Sequence, residues 1–200
     1  MRALVTNMDI PLGYHIGNSL EVMEAVRILR GEQKGDLYEI CVALSANLVS
    51  MLRGCPAADV TEAVVSTIES GAAFEKMKQW IAAQGGDVAM IEDTTRLPLA
   101  PHRKELYAPR DGCIAHMNTE QIGLCASLLG AGRVKKDDCI DYGAGIVLTH
   151  KTGDRVHTGD CIATLYTSDR KNLEEAGRVF LSALTFSDTE IDKPTLIYRG

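Results

Sequence analysis

The chain has 200 residues, a formal net charge of -6 at pH 7 and 46% hydrophobic residues. This length and apolar share suffice for one large domain or two small ones, each with a filled core. Because the charge is negative and no basic block occurs, nucleic acid is not an expected partner. No apolar run approaches the roughly 20 residues that a membrane-spanning helix requires, so a membrane is not an expected partner either.

The first half of the chain is predicted to contain one buried strand, at residues 3–6, followed by four amphipathic helices. Each predicted helix carries apolar residues at helical spacing and stops at a glycine: Gly31, Gly54, Gly71 and Gly85. Three of the starts show a capping box: Asn18 with Glu21, Asp36 with Glu39, and Asp59 with Glu62. The large side chains of Met23, Met77 and Trp80 are expected in the core.

A turn rich in glycine precedes the first of these helices. Gly13 and Gly17 allow the backbone after Pro11 to fold tightly, which leaves carbonyl oxygens outside any regular hydrogen-bond ladder. Carbonyl and carboxylate oxygens are the ligands that hard cations prefer. The stretch from Pro11 to Glu24 is therefore expected to be a cation-binding turn.

The second half changes character after a segment rich in proline. Residues 93–109 lose the helical period and are interpreted as a connector between two structural units. Beyond it we expect strands at 112–117, 145–150, 161–166 and 195–198, with Gly153 to Asp160 as a compact reversal between the second and third. Two helices are predicted, one capped by Asn118 with Gln121 and ended by Gly130, and one from about 172 to 184.

Other candidate sites have simpler explanations. The glycines and basic residues of 130–136 could hold an anion, but glycines after a helix more often only cap it. Asp137, Asp138 and Asp141 could bind a metal ion, yet carboxylates clustered in a turn are usually solvated. The five histidines share no fixed spacing and are interpreted as surface or packing residues. The six cysteines lack a Cys-x-x-Cys pair and no secretory signal is seen, which favours reduced, buried thiols in a cytoplasm.

An ordered set of short motifs runs through nearly the whole chain. Its members are Asn7-Met-Asp9, Pro11-Leu-Gly-x-x-x-Gly-Asn-x-x-Glu-Val-x-Glu24, Ser70-Gly71, Ala82-Ala-Gln-Gly-Gly-Asp87, Gly130-Ala-Gly-Arg133, Asp138 to Asp141, and Gly153-Asp-Arg-Val156. In order and spacing the set resembles the C-terminal half of pyrimidine-nucleoside phosphorylase. It also resembles thymidine phosphorylase, but the segments at Pro11–Gly13 and Gly145–Leu148 are closer to the pyrimidine enzymes of broader specificity.

The resemblance implies a fold class and a reaction. Residues 1–97 would form the helix-rich remainder of a nucleoside phosphorylase α/β domain, and residues 98–200 a β-rich C-terminal α+β domain of the hammerhead type. The family reaction is phosphorolysis, in which phosphate cleaves a pyrimidine nucleoside to the free base and ribose or deoxyribose 1-phosphate. The family's phosphate loop and base-binding residues precede the matched segment. No catalytic residue is therefore expected here, and the chain alone is predicted to be inactive without the missing N-terminal half.

The resemblance also implies one site within this chain. The positions that match the family's potassium site are Leu12 and His15, through main-chain carbonyls, and Glu24, through its carboxylate. A simpler alternative is that Glu24 pairs with Arg27 or Arg30 on an exposed helix face. No organic cofactor is implied, and the intact enzyme is expected to be a cytoplasmic homodimer.

A binding module is the alternative from a different functional class. The reversal at Gly153 to Asp160 and its flanking strands are also typical of biotinyl and lipoyl carrier domains. Such carriers display a lysine at a hairpin tip, usually beside methionine, and this chain has no Met-Lys-Met tip. Mass spectrometry of the native protein would reveal an added biotin or lipoate.

Overall fold

The computed structural model describes residues 2–133 and 135–198. Its α-helices, in chain order, are α1 (Asn18–Leu29), α2 (Asp36–Arg53), α3 (Ala58–Glu69), α4 (Ala72–Ala83), α5 (Ala89–Glu92), α6 (Thr119–Leu129) and α7 (Asn172–Ser182). Its strands are β1 (Val5–Thr6), β2 (His15–Ile16), β3 (His102–Tyr107), β4 (Gly112–Met117), β5 (Gly145–Leu148), β6 (Arg155–Val156), β7 (Cys161–Thr167), β8 (Leu184–Ser187) and β9 (Ile197–Tyr198). Antiparallel sheets and helices together confirm the predicted mixed α and β class. None of the helices in these residues is both long and apolar enough to cross a membrane.

Two compact units divide the chain. The first comprises the residues up to Thr6, Val22–Leu97 and the residues from Leu196, and the second comprises Asn7–Glu21 and Pro98–Thr195. The predicted domains were 1–97 and 98–200, but residues 7–21 belong to the second unit and residues 196–198 to the first. Strand pairing explains both exchanges, because β2 pairs with β5 in the second unit and β9 pairs with β1 in the first.

The first unit is mainly helical, as its apolar periodicity predicts. Val26, Ile40, Val60 and Ile91 are among its buried side chains. Two predictions about burial were wrong: Trp80 is 61% exposed on α4, and Val5 is 64% exposed in the two-residue strand β1.

Met23 and Met77 are half-buried rather than fully enclosed. Helical spacing of apolar residues identifies a helix, but it does not determine which of these side chains pack against another element and become buried.

The predicted capping boxes form only in part. At α1 the carboxylate of Glu21 accepts a hydrogen bond from the Gly17 amide at 2.9 Å, one residue earlier than predicted, while the Asn18 side chain donates to the Ala131 carbonyl. The N-cap residues of α2 and α3 are Gly35 and Ala57, which make no side-chain cap bond, and Asp36 Oδ1 accepts from the Leu37 amide at 2.8 Å. At α6 the prediction is confirmed, since Asn118 Oδ1 accepts from the Gln121 amide at 3.0 Å.

The second unit contains two antiparallel sheets. One has the strand order β2-β5-β7-β3 and the other has the order β6-β4-β8. The predicted strands at 112–117, 145–150 and 161–166 correspond to β4, β5 and β7, and β5 pairs with β7 across the predicted reversal.

Besides the two-residue strands β2 and β6, two longer strands of the second unit were not predicted. β3 lies within the stretch 93–109 that was interpreted as a connector, and it pairs with β7 along its whole length. β8 begins at Leu184, where the last helix was predicted to end, and pairs with β4. Both strands are edge strands with exposed polar positions, so their apolar pattern is too weak to identify them from sequence.

A continuous hydrophobic core lies within the second unit. Phe180, Ile114, Ile122 and Leu165 are at most 1% exposed in it. They belong to α7, β4, α6 and β7, so both sheets and both long helices of the unit share this core. Tyr14 and Ile16 of the segment 7–21 pack against it, which attaches the glycine-rich turn to a well-packed body.

Candidate functional site

The turn from Pro11 to Gly17 is the strongest candidate from the sequence, and its backbone is tightly folded. Gly13 has a φ of 72° and Gly17 a φ of 130°, both in the region that favours glycine. Pro11 and Gly13 are buried, whereas the side chain of Leu12 between them is 44% exposed. The chain then enters β2, where His15 pairs with Val147 of β5.

The end of this turn approaches β5 so closely that only glycines fit. A Cβ atom on Gly17 would lie 2.4 Å from the Ala144 carbonyl oxygen, and one on Gly145 would lie 2.1 Å from the Ile16 carbonyl oxygen. Real Cβ contacts are never this short. The two glycines therefore position the turn against the four-stranded sheet.

A buried lysine binds the main-chain oxygens of the turn. The Nζ atom of Lys151 donates to the carbonyls of Pro11 at 2.5 Å and Gly13 at 2.9 Å, and it lies 5.2 Å from the centre of the Tyr14 ring. Lys151 is only 7% exposed. Both carbonyls that flank Leu12 thus face a positive charge supplied by the chain itself, in hydrogen bonds of the charge-assisted kind.

Sequence analysis did not single out Lys151. The sequence offered one indication of its role: Lys151 lies between the apolar strand at Gly145–Leu148 and the Gly153-Asp154 turn. Asp154 Oδ2 accepts from the Lys151 amide at 2.8 Å and its other carboxylate oxygen lies 3.3 Å from Lys193 Nζ. The motif that resembles a carrier-domain reversal therefore holds this lysine in place.

The predicted potassium ligands are divided between the two units. Leu12 and His15 belong to the second unit and Glu24 to the first. Glu24 is 1% exposed and accepts a hydrogen bond from Gln33 Nε2 at 2.6 Å. The alternative of an exposed helix face for Glu24 is therefore wrong.

Each of the three predicted ligands offers an oxygen donor, the ligand type that hard cations prefer. Main-chain carbonyls and a buried carboxylate are oxygen ligands, and burying a carboxylate is costly unless positive charge or hydrogen bonds compensate. The neighbouring carbonyls of Pro11 and Gly13 already bind an ammonium group. Two main-chain oxygens of the turn therefore bind a cation that the chain itself supplies, the ammonium of Lys151.

The other candidates serve the local structure. Gly130, with a φ of 103°, ends α6 as a left-handed cap, and Asp138 Oδ2 accepts from the Lys135 amide at 2.7 Å. Val134 of the suggested anion loop lies outside the described residues. Asp141 accepts from the amides of Gly143 at 3.0 Å and Ser168 at 3.1 Å. These bonds brace loops and favour neither an anion site nor an acidic metal site.

The histidines and cysteines form no catalytic cluster in the described part of the chain. His150 Nδ1 lies 3.1 Å from the Cys161 carbonyl oxygen, and His157 Nδ1 lies 3.8 Å from the Asp111 carboxylate. Within residues 2–133 and 135–198, no group of three or more His, Cys, Asp or Glu side chains could hold a metal ion. All six cysteines are free, but Cys41 and Cys139 are exposed, which corrects the prediction that the thiols are buried.

Comparison with known proteins finds sequences similar to this chain. A sequence model described as the pyrimidine nucleoside phosphorylase C-terminal domain matches residues 113–187. The pyrimidine-nucleoside phosphorylase of Geobacillus stearothermophilus is 35% identical over 197 residues, which is 98% of this chain and 45% of the relative. Over nearly its whole length the chain is similar to the C-terminal portion of pyrimidine-nucleoside phosphorylases.

A second relative supports the same assignment. The pyrimidine-nucleoside phosphorylase of a Staphylococcus aureus strain is 36% identical over 198 residues, again 98% of this chain and 45% of the relative. The chain thus spans less than half the length of the phosphorylases it matches. The domain matched at 113–187 runs from β4 to β8 and contains Lys151, Asp154 and the reversal that suggested a carrier module.

Proposed function

We propose that this chain supplies the C-terminal portion of a pyrimidine-nucleoside phosphorylase. The assembled enzyme cleaves pyrimidine nucleosides with inorganic phosphate, giving the free base and ribose or deoxyribose 1-phosphate. The observation that carries the proposal is the similarity to such enzymes over 98% of the chain at 35% identity. The resemblance of its ordered motifs, read from sequence alone, leads to the same reaction.

The catalytic groups of this reaction are proposed to lie on polypeptide upstream of the matched portion. Phosphorolysis needs amides and cations that hold a phosphate dianion beside the sugar, and donors that neutralise the departing base. The polar contacts of Lys151, Asp154 and Asp141 in the second unit all stabilise turns, which agrees with this division of labour. The chain alone is accordingly proposed to be inactive.

The role of this chain toward the reaction is to carry part of a potassium site. Leu12 and His15 would offer main-chain carbonyls and Glu24 its carboxylate. The bound ion would supply fixed positive charge beside the phosphate site, with further ligands from the upstream portion. The burial of the Glu24 carboxylate, which is 1% exposed, supports this assignment.

Partners and location follow from the same proposal. Phosphate and a pyrimidine nucleoside would be the substrates, the upstream half the obligatory partner, and the intact enzyme a homodimer. A cytoplasmic location agrees with six free cysteines, because disulfides form in oxidising compartments.

An activity assay tests the proposal. Uridine and phosphate are incubated with the purified chain, with the upstream portion of the Geobacillus stearothermophilus enzyme, and with both co-expressed, and released uracil is measured. We expect uracil only from the combination. Uracil released by the 200-residue chain alone would contradict the proposed division of function, and no release by the combination would contradict the proposed activity. Thymidine in parallel reports substrate preference.

A further inference from the structure

Helix α2 in the first unit exposes an apolar face. Its buried face is formed by Ile40, Val42, Ala46 and Ser50. On the opposite face Leu44 is 45% exposed, Leu48 64%, Met51 47% and Leu52 88%. Together with the exposed Cys41, these four residues are named the α2 stripe.

The α2 stripe has the composition of a contact surface. Cys41, Leu44, Leu48 and Met51 follow one another at intervals of three, four and three residues, the spacing typical of helix packing. The charged residues of α2 are confined to its ends, at Asp36, Glu39 and Arg53. A solvated helix face normally carries charges, whereas a contiguous exposed apolar patch marks an interaction site.

An apolar groove continues the α2 stripe. Its volume is about 250 Å³, and it is lined from α2 by Leu37, Cys41, Val42 and Ser45. Residues of α1 and α3, such as Ile28 and Ile68, form its other walls. Cys41 belongs to both features, so stripe and groove form one apolar surface within the first unit.

We propose that the α2 stripe and its groove bind the upstream portion of the phosphorylase. This inference rests on the proposed function. Matched relatives carry more than half of their length outside the region that corresponds to this chain, since it covers 45% of them. The matched region is C-terminal, so the polypeptide that covers the stripe is the preceding one, docking through an apolar surface of its own.

A co-purification experiment tests the inference. The wild-type chain and the double variant Leu44→Glu/Leu48→Glu are each co-expressed with a tagged upstream portion of the Geobacillus stearothermophilus enzyme. The matched control is Leu124→Glu in α6, because Leu124 is 46% exposed and Leu44 is 45% exposed. We expect the wild type and the control to co-purify, and recovery of the double variant to fall at least about tenfold, which corresponds to 1.4 kcal/mol of binding free energy.

The outcomes separate this inference from the proposed function. Equal recovery of all three proteins would overturn the docking surface and leave the proposed function standing. Failure of the wild type to co-purify would contradict both. A wild-type dimer in light scattering that becomes a monomer in the double variant would also overturn the inference, because a second copy would then occupy the stripe.

Folding of the double variant is checked independently. Both leucines project to solvent, so circular dichroism and the midpoint of thermal unfolding should match those of the wild type. Binding of an environment-sensitive hydrophobic dye to the wild type should fall in the double variant and in the co-purified complex. A dye signal unchanged in the complex would contradict coverage of the stripe.

Discussion

Two buried side chains of the second unit, Lys151 and Cys125, carry reactive or charged groups. The ammonium of Lys151 is held by the carbonyls of Pro11 and Gly13 and by the ring of Tyr14. The thiol of Cys125 is fully buried and donates to the Ala176 carbonyl at 3.2 Å. Burying an ammonium group is costly without such partners, whereas burial of the thiol raises the pKa of Cys125 to about 12 and so favours its neutral form.

Replacing Lys151 with methionine should destabilise the second unit. Lys151→Met keeps much of the apolar stem but removes the donor, which leaves two buried carbonyls without their charge-assisted bonds. We expect the free energy of unfolding to fall by about 2–4 kcal/mol in chemical denaturation. The control is Lys171→Met at an exposed position, with an expected change within about 0.5 kcal/mol. Equal stability of the two variants would show that the buried bonds contribute nothing.

The thiols should differ sharply in reactivity. Burial raises the pKa of the Cys125 thiol to about 12, and Cys139 is exposed. At pH 8 a disulfide reagent should therefore modify Cys139 in the native protein and reach Cys125 only after unfolding. Absorbance of the released thiolate in Cys125→Ser and Cys139→Ser variants measures each site. If the native Cys125→Ser variant showed one fast-reacting thiol fewer than the wild type, Cys125 would be accessible in the folded protein, which would contradict its burial.

The same raised pKa gives a stability effect with a definite sign. Because the folded pKa of Cys125 exceeds the ordinary value of 9.0, the neutral thiol stabilises the fold fully below that value. This contribution is lost as the pH rises from 9 toward 12. Cys125→Ser, compared with wild type, should weaken the alkaline part of the pH dependence of unfolding.

At the scale of elements, the close approach of β2 and β5 decides how the turn is held. His15 and Ile16 pair with Val147 and Ile146, and the pair is followed by the contact of Gly17 with Gly145. A side chain on either glycine would collide with main-chain atoms, which cannot move without breaking the sheet. The position of the Pro11–Gly17 turn therefore depends on two residues that have no side chain.

A glycine comparison tests this contact. In Gly145→Ala the added Cβ would lie 2.1 Å from the Ile16 carbonyl oxygen and the φ of 151° would be strained. We expect a loss of about 3 kcal/mol or more in the free energy of unfolding. Gly123→Ala in α6 is the control, since nothing lies within 4 Å of its added Cβ.

In a helix interior the control substitution should stabilise by about 0.5–1 kcal/mol. Urea denaturation measures both variants. If Gly145→Ala had the same free energy of unfolding as Gly123→Ala, moving β2 away from β5 would cost no stability. The sheet would then not fix the position of the turn.

At the scale of the whole molecule, the chain spans 45% of the length of its relatives, and its potassium ligands are proposed to be completed by upstream polypeptide. Ligand binding stabilises the state that binds. Potassium should therefore act on the combination of the two portions. Glu24, the one carboxylate among the proposed ligands, is the natural position for a test.

We expect potassium to raise the thermal unfolding midpoint of the co-purified combination relative to sodium at equal ionic strength. Glu24→Gln should abolish the increase, because a neutral amide oxygen replaces a carboxylate while the Gln33 amide keeps an acceptor. Glu62→Gln at an exposed position of α3 is the control and should retain the increase. An increase of equal size in Glu24→Gln would remove Glu24 from the proposed site.

Local order was largely predictable, because its signals lie within a few residues of one another. Apolar spacing and terminal glycines identified α1 to α4, and the Asn118 cap with Gly130 identified α6. The ordered motifs were sufficient to recognise the similarity to pyrimidine-nucleoside phosphorylases. Predictions of burial failed where burial depends on packing against distant residues. Trp80, for example, has helical spacing but is exposed.

The sequence by itself thus determined the helices, the central strands and the likeness to pyrimidine-nucleoside phosphorylases. Only the tertiary structure decided that β3 and β8 complete the sheets, and that the lysine which binds the turn is Lys151, 140 positions away from Pro11. It also decided which face of α2 is buried and which carries the exposed stripe. The physical reason is that pairing and burial depend on residues far apart in the chain, which leave no periodic signal in the local sequence.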